Sequence, residues 1–411
     1  MRENGSPSFT IPEVARGANV PEAFVHNLVR LGILPVDGTI GYSVRDVRRA
    51  RLLHAWEAAG LPLEAVARML QEGTLSLDFL DAPSLAGPEP LDRSYAGLAE
   101  ASGVSLPLVK RLHAALGFAP PRSEDQARED DAELVAVAKM FLSVGVDESS
   151  LLGLVRVYAD SLRRIAKAEA ELYESEIEEP LRMQGLEERQ LIEFGSGFGD
   201  RLLPALERTL NAVYRRHREH VWIEHAVYHA ELELQRMGLH ERVQEPSAIC
   251  FVDLTGYTRM TEERGDETAA RVARGLSSLV YDTSRRHGGR PIRWLGDGGM
   301  FHFRRPRAAV LSGLEMADEA PSAGLPPTHI GIHTGSVIYQ DGDVYGRTVN
   351  IASRIASQAG AGEVFVSEET VRGAGDDELH FTPLPSVELK GISAPIRLYR
   401  ASRRGGTRAD G

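Results

Sequence analysis

The sequence predicts two kinds of fold in one chain: helical modules over residues 8–245 and an α+β domain over residues 246–402. Two observations lead to this prediction. Apolar residues recur at intervals of three and four through residues 10–73, which is the period of amphipathic helices. After residue 246, short β-branched runs alternate with helical segments and some of these runs adjoin, as expected for a sheet with helices packed on it.

Length and composition limit the function classes. The chain has 411 residues, 42% apolar and 26% charged, which suits an ordinary globular protein of several domains. The sequence shows neither an apolar run long enough to span a membrane nor a signal peptide, so we expect a cytoplasmic protein without a membrane partner. The single cysteine, Cys250, excludes an internal disulfide and is expected in the core. A net charge of −12 argues against non-specific nucleic-acid binding.

Residues 8–73 are predicted to form a first module of short helices separated by polar turns. This module resembles the MerR-type winged helix-turn-helix. The matching positions are Val14–Ala15, Val20, Leu31–Gly32–Ile33, Tyr42, Ser43 and Asp46.

The residues of this module leave DNA binding open. The recognition helix reads AFVHNLV where the family usually has an arginine and tyrosines. Only His26 and Asn27 of this segment and the following Arg30 could reach a groove. The next helix has four arginines that could contact phosphate, a contact that positions a duplex without reading its sequence: Arg45, Arg48, Arg49 and Arg51. The alternative is a solvated helical face, which we favour over DNA contact.

A linker at residues 74–93, rich in proline and acidic residues, precedes a second copy of the helical unit. GLAEASGV at 97–104 aligns with EVARGANV at 13–20, an offset of 84, and Gly145 aligns with Gly60, an offset of 85. The wing position of this copy is acidic and would repel phosphate. Residues 94–189 resemble the regulatory domain of soluble mycobacterial-type class III adenylate cyclases. This resemblance implies a domain that dimerises and controls an attached catalytic domain.

Residues 190–245 are predicted to be a helical transmission segment with many histidines: His217, His220, His225, His229 and His240. His225 and His229 lie one helical turn apart, a spacing that could bind a metal, but no carboxylate-rich metalloprotease motif surrounds them. Titration near neutral pH is the better functional hypothesis. Solvated or core-edge histidines are the structural alternative.

Five segments between residues 246 and 402 occur in the order and spacing of the class III adenylate and guanylate cyclase catalytic domain, which this region resembles. They are FVDLTGYTRM, WLGDGGMFHF, GIHTGSV, GDVYGRTVNIASRI and VELKGI. The resemblance implies a ferredoxin-like βαββαβ core and a nucleotide cyclase activity. Residues 403–411 are expected to form a disordered tail.

Two aspartates are the candidate metal ligands. Asp253 follows the strand run AICFV and Asp297 lies in the glycine-flanked turn of a predicted hairpin, so both can present carboxylates at one end of a sheet. Carboxylates are hard ligands that suit Mg²⁺ together with phosphate oxygens. The resemblance implies two metal ions per active site, Mg²⁺ or Mn²⁺, also held by the carbonyl of Leu254.

The resemblance also assigns the residues that act on the nucleotide. Asn350 and Arg354, four apart on one helix, would orient the ribose and stabilise charge on the α-phosphoryl group. Lys390 would contact the terminal phosphates. For the base, the family's adenylate cyclases use a lysine and an aspartate; here Arg293 and Asp343 take these places. Guanylate cyclases typically carry a glutamate at the position of Arg293, so its absence here favours ATP. GTP stays an alternative, because the larger forked guanidinium could also donate to guanine O6.

The family builds each active site from two subunits, so a single chain with one catalytic domain implies a homodimer. We therefore expect a homodimeric adenylate cyclase that converts ATP to cyclic AMP and pyrophosphate. The competing hypothesis is a MerR-like DNA-binding regulator whose cyclase-like domain only senses nucleotide. The full set of metal and transition-state residues weighs against a pure sensor.

Overall fold

The computed structural model describes residues 9–35, 41–77, 80, 90–239, 246–294, 296–340, 343–375, 377–388 and 395–404. The chain divides into two compact units, Met1–Tyr228 and His229–Gly411. Of the predicted tail, only Arg403 and Arg404 fall among the described residues.

The first unit begins with the predicted repeat. Its first copy contains α1 (Ile11–Ala18), α2 (Glu22–Arg30), α3 (Val44–Ala58) and α4 (Leu63–Glu72). Its second copy contains β1 (Pro90–Ser94), α5 (Tyr95–Ser102), α6 (Leu106–Ala115), β2 (Gln126–Arg128), α7 (Glu129–Ser143) and α8 (Glu148–Tyr173). Helices α5 and α6 begin 84 residues after α1 and α2, and α7 and α8 begin 85 residues after α3 and α4, which confirms the repeat.

Each copy is closed by its own apolar core and its own local contacts. Val25, Leu28 and Leu53 are fully buried in the first core, as is Leu112 in the second. At the start of α3, the amide and hydroxyl of Ser43 both donate to Asp46 at 2.8 Å, a capping arrangement that fixes where the helix begins. The predicted linker ends within β1, which pairs antiparallel with β2.

The helical region continues past the second copy. A π-helical turn at Glu174–Glu178 leads to α9 (Glu179–Met183), and α10 (Glu188–Arg236) then runs for 49 residues. This helix crosses the predicted boundary between residues 189 and 190. Within the described residues, no helix combines the length and apolar character that a bilayer span requires.

The second unit is the predicted α+β domain. Its elements are β3 (Ala248–Leu254), α11 (Tyr257–Arg264), α12 (Asp266–Arg286), β4 (Arg290–Trp294), β5 (Gly298–Phe303), α13 (Pro306–Ser322), β6 (Thr328–Thr334), β7 (Ile338–Gln340), β8 (Asp343–Tyr345), α14 (Arg347–Ala356), β9 (Val364–Ser367), α15 (Glu368–Ala374), β10 (Leu379–Pro383) and β11 (Leu398–Arg403). Seven strands form one sheet in the order β10-β11-β9-β6-β3-β5-β4, and only the β6–β9 pair is parallel. From β3 to β6 the elements follow the βαββαβ order with two helices, α11 and α12, in the first connection, so the predicted α+β fold is confirmed.

The strand alternation assigns residues to the two faces of this sheet. On β3, Cys250 and Val252 belong to the core that includes residues of α12 and α13, so the expected burial of Cys250 is confirmed. Ile249 packs instead with Ala352 of α14 on the opposite face. Because side chains alternate along a strand, Asp253 shares the α14 face with Ile249.

Candidate active site

Two aspartates come together at one end of the sheet. Asp253 is the penultimate residue of β3, and Asp297 lies in the turn of the β4–β5 hairpin, which was predicted. The amide of Leu254 donates to the carbonyl oxygen of Asp297 at 3.2 Å and ties this turn to the end of β3. Gly298 lies opposite Asp253, and a Cβ there would be 2.8 Å from Oδ1 of Asp253 and 2.6 Å from the Val252 carbonyl oxygen. A side chain at residue 298 would therefore collide with the carboxylate.

The electrostatics of this pair favour a bound cation. Burial raises the pKa of Asp297, and the negative charge of Asp253 raises it further. A divalent cation would relieve that repulsion, and carboxylate oxygens are ligands that Mg²⁺ accepts. Within the described part of the chain, no group of three or more His, Cys, Asp or Glu side chains is placed to hold a metal. The pair therefore fits a metal whose remaining ligands are backbone, water and phosphate oxygens.

A histidine that the sequence analysis did not identify lies beside this pair. His329 of β6 is opposite Asp253 in the β3–β6 register, with Nε2 3.5 Å from Oδ2 of Asp253. Its Nδ1 lies 3.3 Å from Oγ1 of Thr255, so two contacts orient the ring. His329 reaches Asp253 through the antiparallel pairing of β3 and β6, two strands that are adjacent in the sheet but far apart in sequence. No local sequence motif marks the residue.

The two predicted base-reading residues meet directly. Arg293 of β4 donates from Nη2 to Oδ2 of Asp343 at the start of β8, although the residues are 50 positions apart in sequence. The Arg293 side chain is 46% exposed and that of Asp343 is 19% exposed, so the pair is open to a ligand. A second oxygen of Asp343 accepts from the amide of Val344 at 2.8 Å. The pair presents a donor fork and a carboxylate side by side.

The predicted transition-state residues lie on one helix. Asn350 and Arg354 are both exposed on α14, one turn apart, while Ile351 and Ile355 of the same helix are buried. Among the described contacts, neither Asn350 nor Arg354 has a hydrogen bond or ion pair with Asp253 or Asp297. Lys390 lies outside the described residues.

The arginines considered for phosphate contact mostly serve the first module itself. Arg48 donates to the carbonyl oxygen of Leu80 at 3.1 Å, and Arg51 donates to that of Gly17 at 2.6 Å. On the predicted recognition helix, Arg30 donates twice to Asn27, at 2.6 and 3.1 Å. These contacts give the residues structural roles, and DNA binding stays a prediction.

The histidines of α10 are distributed along an exposed helix. His220 lies 3.4 Å from a carboxylate oxygen of Glu224, and the ring of His225 packs edge-on against Trp222. The predicted segment also contains His240, which lies outside the described residues. A role in pH response stays a prediction.

Two family models match the chain in succession. One, described as an adenylate cyclase regulatory domain, matches residues 37–221, beginning inside the first predicted module and ending inside α10. The other, described as an adenylate and guanylate cyclase catalytic domain, matches residues 239–401 and includes every predicted site residue.

Three curated relatives are similar over most of the chain. A pH-sensitive adenylate cyclase of Mycobacterium tuberculosis is 25% identical over 335 residues, covering 79% of this chain and 81% of that protein. An adenylate cyclase of Streptomyces coelicolor is 27% identical over 280 residues, covering 67% and 70% respectively. An adenylate cyclase of Glutamicibacter nicotianae is 26% identical over 292 residues, covering 68% and 71%.

Proposed function

Residues 239–401 belong to the adenylate and guanylate cyclase catalytic domain family and residues 37–221 to the adenylate cyclase regulatory domain family, and from this we propose an adenylate cyclase. The protein converts ATP to 3′,5′-cyclic AMP and pyrophosphate, with its N-terminal helical region as the regulator. The relatives that align along most of its length are adenylate cyclases, which supports ATP as the substrate. The structural observation that supports the chemistry best is the pair of Asp253 and Asp297 at one end of the sheet.

The residues of each active site divide the chemistry between them. Asp253, Asp297 and the carbonyl of Leu254 would hold two divalent ions, Mg²⁺ or Mn²⁺. When bound, these ions lower the pKa of the ribose 3′-hydroxyl and neutralise the triphosphate and its leaving group. Asn350 would orient the ribose, and Arg354 would stabilise the charge on the α-phosphoryl group.

Arginine suits the position of Arg354 because its forked donors match phosphate oxygens and it stays charged. Lys390 is proposed to contact the terminal phosphates as a point charge. The in-line attack of the 3′-oxygen then needs only that these groups hold the triphosphate and the ribose in the reacting orientation.

The base is proposed to be read by Arg293 and Asp343. The carboxylate of Asp343 can accept from the adenine amino group, and the guanidinium of Arg293 can donate to adenine N1. These side chains lie beside each other, so the adenine edge would replace their mutual ion pair with one contact to each of them. The fork of Arg293 can also donate to guanine O6, so GTP is the second candidate substrate.

We propose that each active site forms between two copies of the chain. The metal aspartates would come from one subunit, and Asn350, Arg354, Lys390 and the base-reading pair from the other. The resemblance to the family, whose active sites are built from two subunits, supports this division. Two-fold symmetry then gives two equivalent sites, and the helical region can act by shifting the population between open and closed dimers.

The test is turnover by the purified full chain with Mg²⁺ or Mn²⁺ and either ATP or GTP. Wild type should form cyclic AMP from ATP, and Asp297→Ala should lose roughly a hundredfold or more because the metal loses a ligand. Asp282→Ala, at an exposed aspartate of α12, is the matched control and should keep wild-type activity. Absence of cyclic nucleotide from both substrates, or full activity of Asp297→Ala, would refute the proposal. Salt-sensitive binding to a specific duplex without turnover would instead support the nucleotide-sensing regulator.

A further inference from the structure

The hairpin β7–β8 is a small structure of its own. It forms a separate two-stranded sheet, and it positions Asp343 at the start of β8. Its apolar anchor is Val344, which is buried with Ile249, Met300 and Ala352 on the α14 face of the main sheet. Val337, directly before β7, is partly buried against the same cluster. These apolar contacts anchor the hairpin, and polar contacts are needed to orient its two strands.

Among the described polar contacts of the hairpin, two join it to neighbouring strands of the main sheet. One is the Arg293–Asp343 ion pair to β4. The other joins the hydroxyl of Tyr339 on β7 to Nε2 of His302 on β5 at 2.8 Å, with the rings edge-on and their centroids 5.7 Å apart. Tyr339 lies opposite Val344 in the hairpin register, and Val344 directly follows Asp343. The two contacts therefore fix the hairpin at both of its strands.

The chemistry of His302 suits a permanent hydrogen bond. Its side chain is 7% exposed and lies on the same face of the sheet as Ile249, its partner in the β3–β5 register. Burial, together with the smaller effect of the Arg290 and Arg304 charges, lowers the pKa of His302 to about 4. The ring is therefore neutral at physiological pH, with one nitrogen that donates and one that accepts. Tyr339 is largely exposed, so its hydrogen bond to His302 holds a side chain that is otherwise surrounded by solvent.

We propose that Tyr339 and His302 are positioning residues for nucleotide selection, which hold the β7–β8 hairpin so that Asp343 stays beside Arg293. The inference rests on the proposed role of Arg293 and Asp343 in reading the base. Neither Tyr339 nor His302 needs to touch the nucleotide. Without their bond, the hairpin can rotate about the Arg293 contact, and the carboxylate no longer meets the adenine amino group at a fixed angle.

The direct test replaces Tyr339 by phenylalanine, which removes only the hydroxyl. Loss of one neutral hydrogen bond should raise KM for ATP by roughly three- to tenfold and leave kcat unchanged, since base contacts bind substrate and transition state alike. The ratio of kcat/KM for ATP to kcat/KM for GTP should fall by a similar factor. A folding defect would instead lower the apparent kcat and leave both KM and the ratio unchanged.

Two controls isolate the bond. Tyr345→Phe removes a hydroxyl from the other strand of the same hairpin and should leave KM and the ratio at wild-type values. His302→Leu should reproduce Tyr339→Phe, and the double variant should be no worse than either single one, because both remove one interaction. Additive effects in the double variant, or an unchanged ratio in Tyr339→Phe, would overturn the proposal.

A measurement without turnover separates this proposal from the proposed enzymatic function. Hydrogen exchange of the amides between residues 338 and 345 should be faster in Tyr339→Phe than in wild type, and unchanged in Tyr345→Phe. Unchanged exchange in Tyr339→Phe would refute the positioning role even in an active enzyme. Faster exchange in a protein that makes no cyclic nucleotide would confirm the link to His302 and refute the function that it is proposed to serve.

Discussion

Replacing Gly331 by alanine should separate the helix of the proposed transition-state residues from the sheet. Gly331 lies on β6 and faces α14 where the backbones of the two elements come close together. A Cβ at this residue would lie 2.0 Å from the backbone nitrogen of Ala356, 2.5 Å from its Cα and 2.7 Å from the carbonyl oxygen of Ala352. These neighbours are backbone atoms, so no side-chain rotation can relieve the clash.

The size of the effect follows from these distances. Ordinary van der Waals contact begins at 3.4 Å, so the contact of 2.0 Å requires α14 and β6 to move apart by about 1.4 Å. Overpacking of this kind costs about 1 to 3 kcal/mol of stability. Because α14 positions Asn350 and Arg354, and a misplacement of about 1 Å can slow catalysis roughly a hundredfold, we expect a loss of that order in kcat.

The assay compares kcat for ATP with thermal unfolding in Gly331→Ala and in a matched control. Gly197→Ala is suitable because a Cβ at this helical glycine meets nothing within 4 Å, and this variant should keep wild-type kcat. The expected outcome for Gly331→Ala is a folded protein with a lower melting temperature and about a hundredfold lower kcat. A folded variant with wild-type kcat would show that the placement of α14 does not limit catalysis.

Three further predictions concern base choice and pH. Arg293→Lys should raise the ratio of kcat/KM for ATP to kcat/KM for GTP about three- to tenfold, because an ammonium lacks the fork that reaches guanine O6. An unchanged ratio would refute the role of Arg293 in reading the base. Burial lowers the pKa of His302 to about 4, so its stabilisation is complete above pH 6.5 and is lost as the pH falls towards 4. Measured by denaturant unfolding, the free energy of unfolding of wild type should fall by about 3 kcal/mol more than that of His302→Gln between pH 6.5 and 4. Parallel pH dependences in the two proteins would contradict this prediction. If protonation of the α10 histidines controls the activity of the catalytic domain, replacing His225 and His229 together by glutamine should flatten the pH profile of activity. An unaltered profile would exclude this role.

Local patterns were sufficient to predict the repeated helices and the β4–β5 hairpin. The repeat offset of 84 to 85 residues predicted where the helices of the second copy begin, because each copy must bury the same apolar positions in its own core. The glycines around Asp297 predicted the β4–β5 turn, since Gly296 has a positive φ and Gly298 allows the Asp253 carboxylate to approach. These signals lie within a few residues of the feature that they predict.

Contacts between distant strands could not be predicted in this way. His329 reaches Asp253 only through the β3–β6 register, and Tyr339 reaches His302 only because the small hairpin folds back over β5. The resemblance to the family did predict that Arg293 and Asp343 act together, and the structure brings them into contact across 50 residues. A register depends on the packing of the whole sheet, which no single segment encodes.

The shared active site is tested most directly by mixing two inactive variants. Asp297→Ala removes a proposed metal ligand and Arg354→Ala removes the proposed transition-state residue, so each homodimer should be inactive while wild type turns over ATP. In a mixed dimer, one site receives both defects and the other receives neither. With random exchange of subunits, half of the dimers are mixed, and we expect cyclic AMP formation to recover to about a quarter of the wild-type rate. A mixture with confirmed subunit exchange that stays inactive would contradict the account.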